Sequence, residues 1–223
     1  AAADLAPHTG TAYFLDFETI MFGVPIWKGT RPYQQLPFQF SLHIVTPDGE
    51  MEHKEFLDIS GNDPGEAFAA SLIESCRTAG PVFVYNAGFE NGVMRRLVER
   101  FPHHSPGLLA IIDRVVDLLP IARSRYYHPD QHGSWSIKAV LPAVCPDLAY
   151  DSLEGVQDGQ AAQGAFLEAM APVTTPERKA EIEQQLLAYC ALDTFAMVRL
   201  WEFFRFGFET STSLKRRHKP DKT

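Results

Sequence analysis

Five side chains in three groups stand where carboxylates could share a metal ion. Asp16 and Glu18 form a D-x-E pair at the end of an apolar run, and Glu90 follows a second short apolar run. Asp193 stands four residues after Tyr189 in a long apolar stretch near the other end of the chain. Hard carboxylate oxygens are the ligands that Mg²⁺ and Mn²⁺ prefer. These residue types therefore suit metal-assisted hydrolysis, in which bound ions activate water and stabilise a leaving oxygen.

Each group also has an ordinary structural explanation. Two acids at a strand end are common on protein surfaces, and Glu90 could simply favour the positive end of a helix dipole. A tyrosine and an aspartate four residues apart lie on one helical face and can hydrogen bond there. An ionised Asp193 among apolar neighbours is nevertheless costly unless a cation or a donor pairs with it.

The elements that must position these groups form a strand-rich first half and a helical second half. Alternating or continuous apolar runs, separated by Gly and Pro signals, predict strands. Asp117, after the last such run, is expected to cap a helix. His103 and His104 show no ligand spacing. Strands are predicted at residues 11–18, 38–45, 51–58, 81–86 and 114–119. Helices are predicted at about residues 64–76, 88–100, 136–144, 160–170 and 176–206.

In this order the three groups resemble the exonuclease motifs of the DEDD superfamily, in its tyrosine-bearing (DEDDy) branch. The resemblance runs from about Thr11 to Phe206, and residues 29–43 further resemble an uncharacterised bacterial family with this domain. It implies a ribonuclease H-like α/β fold, with a mixed five-stranded sheet of three antiparallel strands and then parallel ones, flanked by helices. It also implies an exonuclease domain over residues 11–206, with flexible termini at 1–10 and 207–223.

The same resemblance implies a role for each matched side chain. Asp16 would bridge two Mg²⁺ or Mn²⁺ ions, while Glu18 and Asp193 would complete the shell of the first ion. Glu90 would serve the second ion, directly or through water, at a position where the superfamily usually has aspartate. Tyr189 would orient the attacking water, because an unperturbed phenol with a pKa of about 10 is a poor base at neutral pH.

Side chains beside the acids are candidates for contact with the terminal nucleotide. Phe17 and Thr19 flank the D-x-E acids, and Asn86 and Phe89 belong to the second motif. Phe89 could stack on a base, a contact worth about 1–3 kcal/mol. A core phenylalanine at a helix start is an equally good interpretation.

A loop and a helix start supply further candidate substrate contacts. The loop after the first motif interleaves aromatic and cationic side chains, among them Trp27, Lys28 and Arg31, a mixture that suits single-stranded nucleic acid. The alternative is a loop packed over the domain with its cations in solvent. Lys138 stands at a predicted helix start, where a phosphate can bind.

The overall composition narrows the class of substrate and the location. The 223 residues carry a net charge of −8 with 20 Lys and Arg against 28 Asp and Glu, which argues against a broad basic face for duplex DNA. Three widely spaced cysteines exclude a disulfide framework and a cysteine zinc site. No run approaches the roughly 20 apolar residues that span a bilayer. A cytoplasmic protein without membrane association is expected.

These features together predict a two-metal-dependent 3′→5′ exonuclease that hydrolyses single-stranded DNA or RNA to nucleoside 5′-monophosphates. A catalytically degenerate module that binds nucleic acid or protein is the alternative from another class. A third reading is an enzyme that trims oligonucleotides or structured RNA. Besides the nucleic acid substrate, additional domains of a longer chain are candidate partners.

Overall fold

A five-stranded sheet with helices on both faces forms the centre of the protein, in a computed structural model that describes residues 1–146, 148 and 153–207. The strands are β1 (Ala12–Ile20), β2 (Leu36–Val45), β3 (Met51–Leu57), β4 (Val82–Val84) and β5 (Val115–Asp117). The α-helices are α1 (Ala2–Leu5), α2 (Gly65–Ser75), α3 (Ala87–Arg100), α4 (Ser105–Ile112), α5 (Leu118–Arg125), α6 (Ile137–Val144), α7 (Gly159–Met170) and α8 (Pro176–Phe206).

The sheet has the strand order β3-β2-β1-β4-β5. β1 and β3 pair antiparallel with β2, whereas β4 pairs parallel with both β1 and β5. The expected mixed five-stranded sheet, with three antiparallel strands followed by parallel ones, is confirmed. β4 and β5 have three residues each. β4 is fully buried because helices cover the sheet on both faces.

Side chains of β1 alternate between the two faces of the sheet and so define two cores. Phe14 packs toward α8, with its ring 5.5 Å from that of Trp201. Phe17 faces the other side, with its ring 5.1 Å from that of Phe68 on α2. Because the period of a strand is two, Asp16 and Glu18 share the Phe14 face. The D-x-E pair is therefore aimed at the layer that contains α8.

The five predicted strands and five predicted helices are all present, with ends that shift by a few residues. The sequence did not predict α1 and α4, and it indicated α5 only through the helix cap expected at Asp117. Helices α4 and α5 have only eight residues each and carry Pro106 and Pro120 in their first turns. Proline is tolerated there, but in sequence it indicates a loop.

The first ten residues, expected to be a flexible terminus, include the short helix α1. Leu5 on α1 is fully buried in the core that contains α8. The Asp4 carboxylate pairs with the Arg125 guanidinium, at 2.7 Å from its Nε. Burial of one apolar side chain together with this ion pair holds the segment on the domain. Of the expected flexible C-terminus, residues 208–223 lie outside the described part of the chain.

Within the described ranges, none of the helices combines the length and the apolar character needed to cross a membrane. The long helix α8 carries buried apolar side chains together with charged ones along its 31 residues.

Candidate active site

A cavity of about 310 Å³ opens where the C-terminal half of β1 meets α3, α6, α7 and α8. The fold thus brings together side chains that are up to 181 positions apart in sequence, from Asp16 to Met197. Of the residues singled out by the sequence, its lining contains Asp16, Phe17, Glu18, Thr19, Phe89, Lys138, Tyr189 and Asp193.

Three carboxylates converge in this cavity. One oxygen from each of Asp16, Glu18 and Asp193 lies within 4.8 Å of the others, and Glu18 and Asp193 are buried. β1 supplies the first two because alternate residues share a face, and α8 crosses that face to supply the third. The pairing of β1 with β2 shifts register between Glu18 and Thr19. Such bulges redirect side chains next to functional sites.

Burial and repulsion by neighbouring carboxylates raise the pKa of Asp16 and that of Glu18. The pKa of Asp16 lies well above its usual range because of burial, with Asp193, Glu18 and Glu90 adding repulsion. Burial and the Asp193 charge raise the pKa of Glu18 to about 8, against the opposing effect of Lys138. Carboxylates this close hold protons at neutral pH or bind cations, because like charges in a low dielectric cannot all ionise unaided.

Glu90 lies behind this cluster rather than on the wall of the cavity. It is buried in the first turn of α3, and burial raises the pKa of its carboxyl to about 8. Its charge also raises the pKa of Asp16, so the two carboxylates are neighbours. Among the described residues, the Glu90 Oε2 atom is buried without a hydrogen-bond partner. A buried acceptor of this kind beside Asp16 fits a second cation.

Asp117 fixes the start of α3 and hence the position of Glu90. Its carboxylate accepts hydrogen bonds from the backbone N–H groups of Asn86 at 3.0 Å, Ala87 at 2.9 Å and Leu119 at 2.9 Å. The expected capping of α5 by Asp117 is confirmed, and the same carboxylate also holds the entry to α3. Asn86 has a left-handed backbone (φ 97°), is exposed and does not line the cavity.

Tyr189 and Lys138 close one side of the cavity. The Lys138 Nζ lies 4.7 Å from the centre of the Tyr189 ring and donates to the Gln157 carbonyl at 2.6 Å. Tyr189 is buried on the same face of α8 as Asp193, one turn away. A phenol and an ammonium group thus accompany the carboxylates, and both can donate hydrogen bonds to an oxygen bound there.

A polar network under α8 holds Asp193 in place through its neighbour Thr194. The Thr194 hydroxyl lies 2.6 Å from the Ser41 Oγ and 2.8 Å from the His43 Nδ1. The Ser41 hydroxyl in turn lies 2.8 Å from the His53 Nε2. Burial lowers the pKa of His43 to about 3, so this imidazole is neutral at physiological pH. No sequence spacing indicates the network, because its members come from β2, β3 and α8.

Phe17 borders the cavity, but its ring is not available to stack on a base. The side chain is buried and packs on Phe68, on the opposite face of the sheet from Asp16 and Glu18. The physical reason is the alternation of strand side chains, which separates the middle residue of a D-x-E pair from the acids. Phe89 is half-buried in the wall of the cavity, where a nucleotide base could reach it.

The aromatic and cationic loop lies outside the acidic cavity. Trp27 is half-buried, packs on Phe22 and donates its indole N–H to the Gly61 carbonyl at 3.0 Å. Lys28 and Arg31 are exposed and line a second cavity of about 440 Å³. Trp27 therefore packs on the domain, as one interpretation of the loop predicted. Lys28 and Arg31 border the second cavity, where the other interpretation, contact with substrate, stays a prediction.

Several lining residues were missed by sequence reasoning. Tyr85 belongs to the second motif but was given no role, whereas nothing in the local pattern distinguishes Gln35, Gln163 or Met197. These three reach the cavity only through the packing of α7, α8 and the start of β2. Tertiary contacts of this kind leave no periodic signal.

Two adjacent histidines also come together with an acid, which their spacing in sequence did not indicate. Ligand atoms of Glu66, His103 and His104 lie within 4.8 Å of one another, and the His103 Nε2 lies 3.1 Å from the Glu66 Oε1. Glu66 comes from α2, far away in sequence. The group lies on the surface and is separate from the acidic cavity.

Comparison with known proteins gives a family and one resembling structure. The model of the family described as "Domain of unknown function (DUF2779)" matches residues 13–136. None of the curated proteins matches the chain. The crystal structure of E. coli exonuclease I in complex with a 5cy-dA13 oligonucleotide is 18% identical, with a TM-score of 0.43. The similarity covers 81% of this chain and 45% of that one, so the chain spans less than half of that exonuclease.

Proposed function

The chain belongs to the family described as a domain of unknown function (DUF2779), and we propose that it is a two-metal-dependent 3′→5′ exonuclease acting on single-stranded nucleic acid. The observation that carries the proposal is the convergence of Asp16, Glu18 and Asp193 within 4.8 Å in an open cavity. The raised pKa values of Asp16 and Glu18 indicate that this arrangement is costly without cations. A site that only bound nucleic acid would gain nothing from such crowding, because phosphates are also anionic.

The residues present fit two divalent cations. Asp16, Glu18 and Asp193 would hold one ion, and Asp16 together with the buried Oε2 of Glu90 would hold the other. When bound, such ions lower the pKa of water and stabilise the leaving oxygen of a phosphodiester. Oxygen-only ligands favour Mg²⁺ or Mn²⁺ over softer metals.

The other side chains of the cavity act on the substrate and on water. The Tyr189 phenol orients the attacking water by a hydrogen bond. Lys138 stabilises negative charge on the phosphate, and its position over the Tyr189 ring keeps that ring in place. Phe89 supplies an apolar surface for the terminal base, where stacking is worth about 1–3 kcal/mol.

The size of the cavity and the charge of the chain support action on a strand end. About 310 Å³ is at the lower end of the range for pockets that hold one small ligand, which suits a single terminal nucleotide. A net charge of −8 does not favour wrapping of intact duplex. The products would be nucleoside 5′-monophosphates.

A gel assay on 5′-labelled single-stranded DNA and RNA with Mg²⁺ or Mn²⁺ tests the proposal. We expect a ladder that shortens from the 3′ end and disappears with EDTA or in the Asp16→Asn protein. The preferred sugar is read from the relative rates on the two strands. Absence of cleavage of both strands by a folded, metal-loaded protein would overturn the proposal and leave a nucleic-acid- or protein-binding module.

A further inference from the structure

The second cavity is basic, although the chain as a whole is acidic. Four cationic side chains, Lys28, Arg31, Arg96 and Arg100, line about 440 Å³ together with one acidic side chain, Glu99. The first two come from the loop after β1 and the other three from the last two turns of α3. A concave group of cations attracts anions strongly, because its low-dielectric walls focus the field.

Contacts with neighbouring side chains fix the positions of the two arginines of α3, Arg96 and Arg100. The Arg96 Nη2 donates to the Gln35 Oε1 at 2.6 Å, and burial lowers the pKa of this guanidinium. Arg100 forms an ion pair with Asp63 and lies over the Phe101 ring at 4.8 Å. The contacts with Gln35 and Asp63 each engage the Nη2 atom of one guanidinium. A guanidinium has five N–H donors in a planar fork that matches phosphate oxygens.

The basic cavity is next to the acidic one. Gln34 lines the basic cavity and Gln35 lines the acidic cavity, so these consecutive residues form the wall between the two cavities. Helix α3 borders both cavities, with Phe89 in the acidic one and Arg96 in the basic one. Seven residues of helix correspond to roughly 10 Å. At ~3.4 Å per stacked nucleotide, this distance corresponds to about three nucleotides.

We propose that the basic cavity binds a backbone phosphate of the substrate strand about three nucleotides upstream of its 3′ end, at ~3.4 Å per stacked nucleotide. This inference rests on the proposed function, because the acidic cavity must receive the 3′ end. The ligand is a phosphodiester of single-stranded nucleic acid rather than a free phosphate. It follows that trinucleotides, which cannot reach this cavity, are poorer substrates than longer strands.

Binding can be measured independently of hydrolysis in the Asp16→Asn protein. Fluorescence anisotropy would measure binding of a labelled single strand of roughly 12 nucleotides, which at ~3.4 Å per stacked nucleotide is long enough to span both cavities. The Asp16→Asn protein would be compared with the same protein carrying Arg31→Gln or Arg96→Gln. Arg95→Gln is the matched control, because Arg95 is exposed on the same helix and lines neither cavity. We expect an affinity loss of about tenfold for the first two variants. The slope of log K against log[salt] should fall by about 0.7 for each phosphate contact removed.

The rate arm uses the same changes in the otherwise wild-type protein. Because Arg31 is exposed, the Arg31→Gln protein should fold and tests the inference even if the half-buried Arg96→Gln protein misfolds. Arg96→Lys, which keeps the positive charge, should restore part of the affinity. We expect kcat/KM to fall for the long strand and to stay unchanged for a trinucleotide. Equal affinities of the Arg31, Arg96 and Arg95 variants, or no strand binding by the parent, would overturn the inference. The inference would also be overturned if inorganic phosphate bound to the basic cavity while Arg31→Gln and Arg96→Gln left strand affinity unchanged.

Failure of the proposed function is distinguishable from failure of this inference. If wild-type protein cleaves no strand while Arg31→Gln and Arg96→Gln still weaken strand binding, the exonuclease assignment fails and the basic cavity remains a phosphate site. If cleavage is normal and these substitutions change neither affinity nor rate, only the inference about the basic cavity fails.

Discussion

The acidic and basic cavities are neighbours of opposite charge. They also differ in how their charged side chains interact within each cavity. In the acidic cavity, Asp16, Glu18 and Asp193 repel one another, and burial adds to the cost. In the basic cavity, Gln35 holds Arg96 and Asp63 holds Arg100 by polar contacts. In the proposed function, the acidic cavity would be completed by cations from solution, whereas the side chains of the basic cavity are already held in an arrangement that would receive an anion.

This difference limits what the net charge of −8 can predict about the proposed binding of nucleic acid, because the charge argues against a broad basic face but not against a local basic cavity. Four of the 28 acids, Asp16, Glu18, Glu90 and Asp193, lie close together where metal ions would reverse the local sign of charge. The cations that matter for a phosphate lie on the other side of the wall formed by Gln34 and Gln35. The predictions below separate the two cavities, beginning with the largest effect.

The largest effect is expected from Asp16→Asn. Loss of the carboxylate common to both proposed ions should reduce hydrolysis by at least about 10³-fold, as for a member of a catalytic group that acts as a unit. Strand binding through the basic cavity should survive. Because one crowded buried carboxylate is removed, the metal-free protein should melt at a higher temperature than wild type. Asp113→Asn, at an exposed position at the end of α4, is the control for a similar change away from the site.

A smaller effect is expected from Glu90→Gln, which keeps the shape of the side chain but removes its charge. We expect activity to fall about 10–100-fold, the range for supporting groups around a metal. Calorimetry with Mn²⁺ should show one strong site and a weakened second one. Glu90→Asp keeps the charge and should retain more activity than Glu90→Gln. Full activity with two intact metal sites in the Gln variant would remove Glu90 from the site.

Tyr189→Phe should lower kcat by roughly 10-fold to 100-fold while leaving KM and Mn²⁺ affinity unchanged, because a positioning hydroxyl contributes less than the acid–base groups that typically give 10²–10⁴. The slope of the pH–rate profile at alkaline pH should also stay the same if the phenol positions water and does not take its proton. A change in that slope would indicate proton abstraction by Tyr189 instead.

The smallest effect concerns stability as a function of pH in metal-free protein. Glu18 and Glu90 have folded pKa values of about 8, above the ordinary 4.5. Their contribution is fully present below pH 4.5 and is lost as pH rises through 8. His43 acts in the opposite direction, because its pKa falls from 6.5 to about 3, so its contribution is present above pH 6.5 and lost as pH falls. Between pH 6.5 and 8 the contribution of His43 is constant and that of the two carboxylates decreases, so the melting temperature should decrease.

Mn²⁺ should flatten this decrease, because metal binding displaces the protons that the acids hold at neutral pH. Calorimetry in two buffers of different ionisation enthalpy would count the protons released. No proton release at pH 7, or a melting temperature that rises toward pH 8 without metal, would contradict the raised pKa values.

Much of the fold could be predicted because its signals are local. Period-two alternation in β2, the continuous apolar run of β4 and the 31-residue stretch of α8 each identify an element without tertiary information. The spacing of Asp16 and Glu18 on a strand also predicted that both acids share one face. Short helices that begin with proline-containing turns gave no such signal.

Less of the site could be predicted, because it depends on how distant elements pack. The buried position of Glu90 behind Asp16 follows from the capping of α3 by Asp117, which comes from another strand. The contact of Thr194 with Ser41 and His43 joins residues about 150 positions apart. Phe17 is different, since the alternation that pairs the acids also indicates that its ring faces away from them.

The most direct test of the two-cation site is a crystal structure of the protein with Mn²⁺, with the metal located by anomalous scattering. We predict one peak among Asp16, Glu18 and Asp193 and a second between Asp16 and Glu90. Clear density for the carboxylates without a peak among them would contradict the assignment. A peak only at the surface group of Glu66, His103 and His104 would contradict it as well.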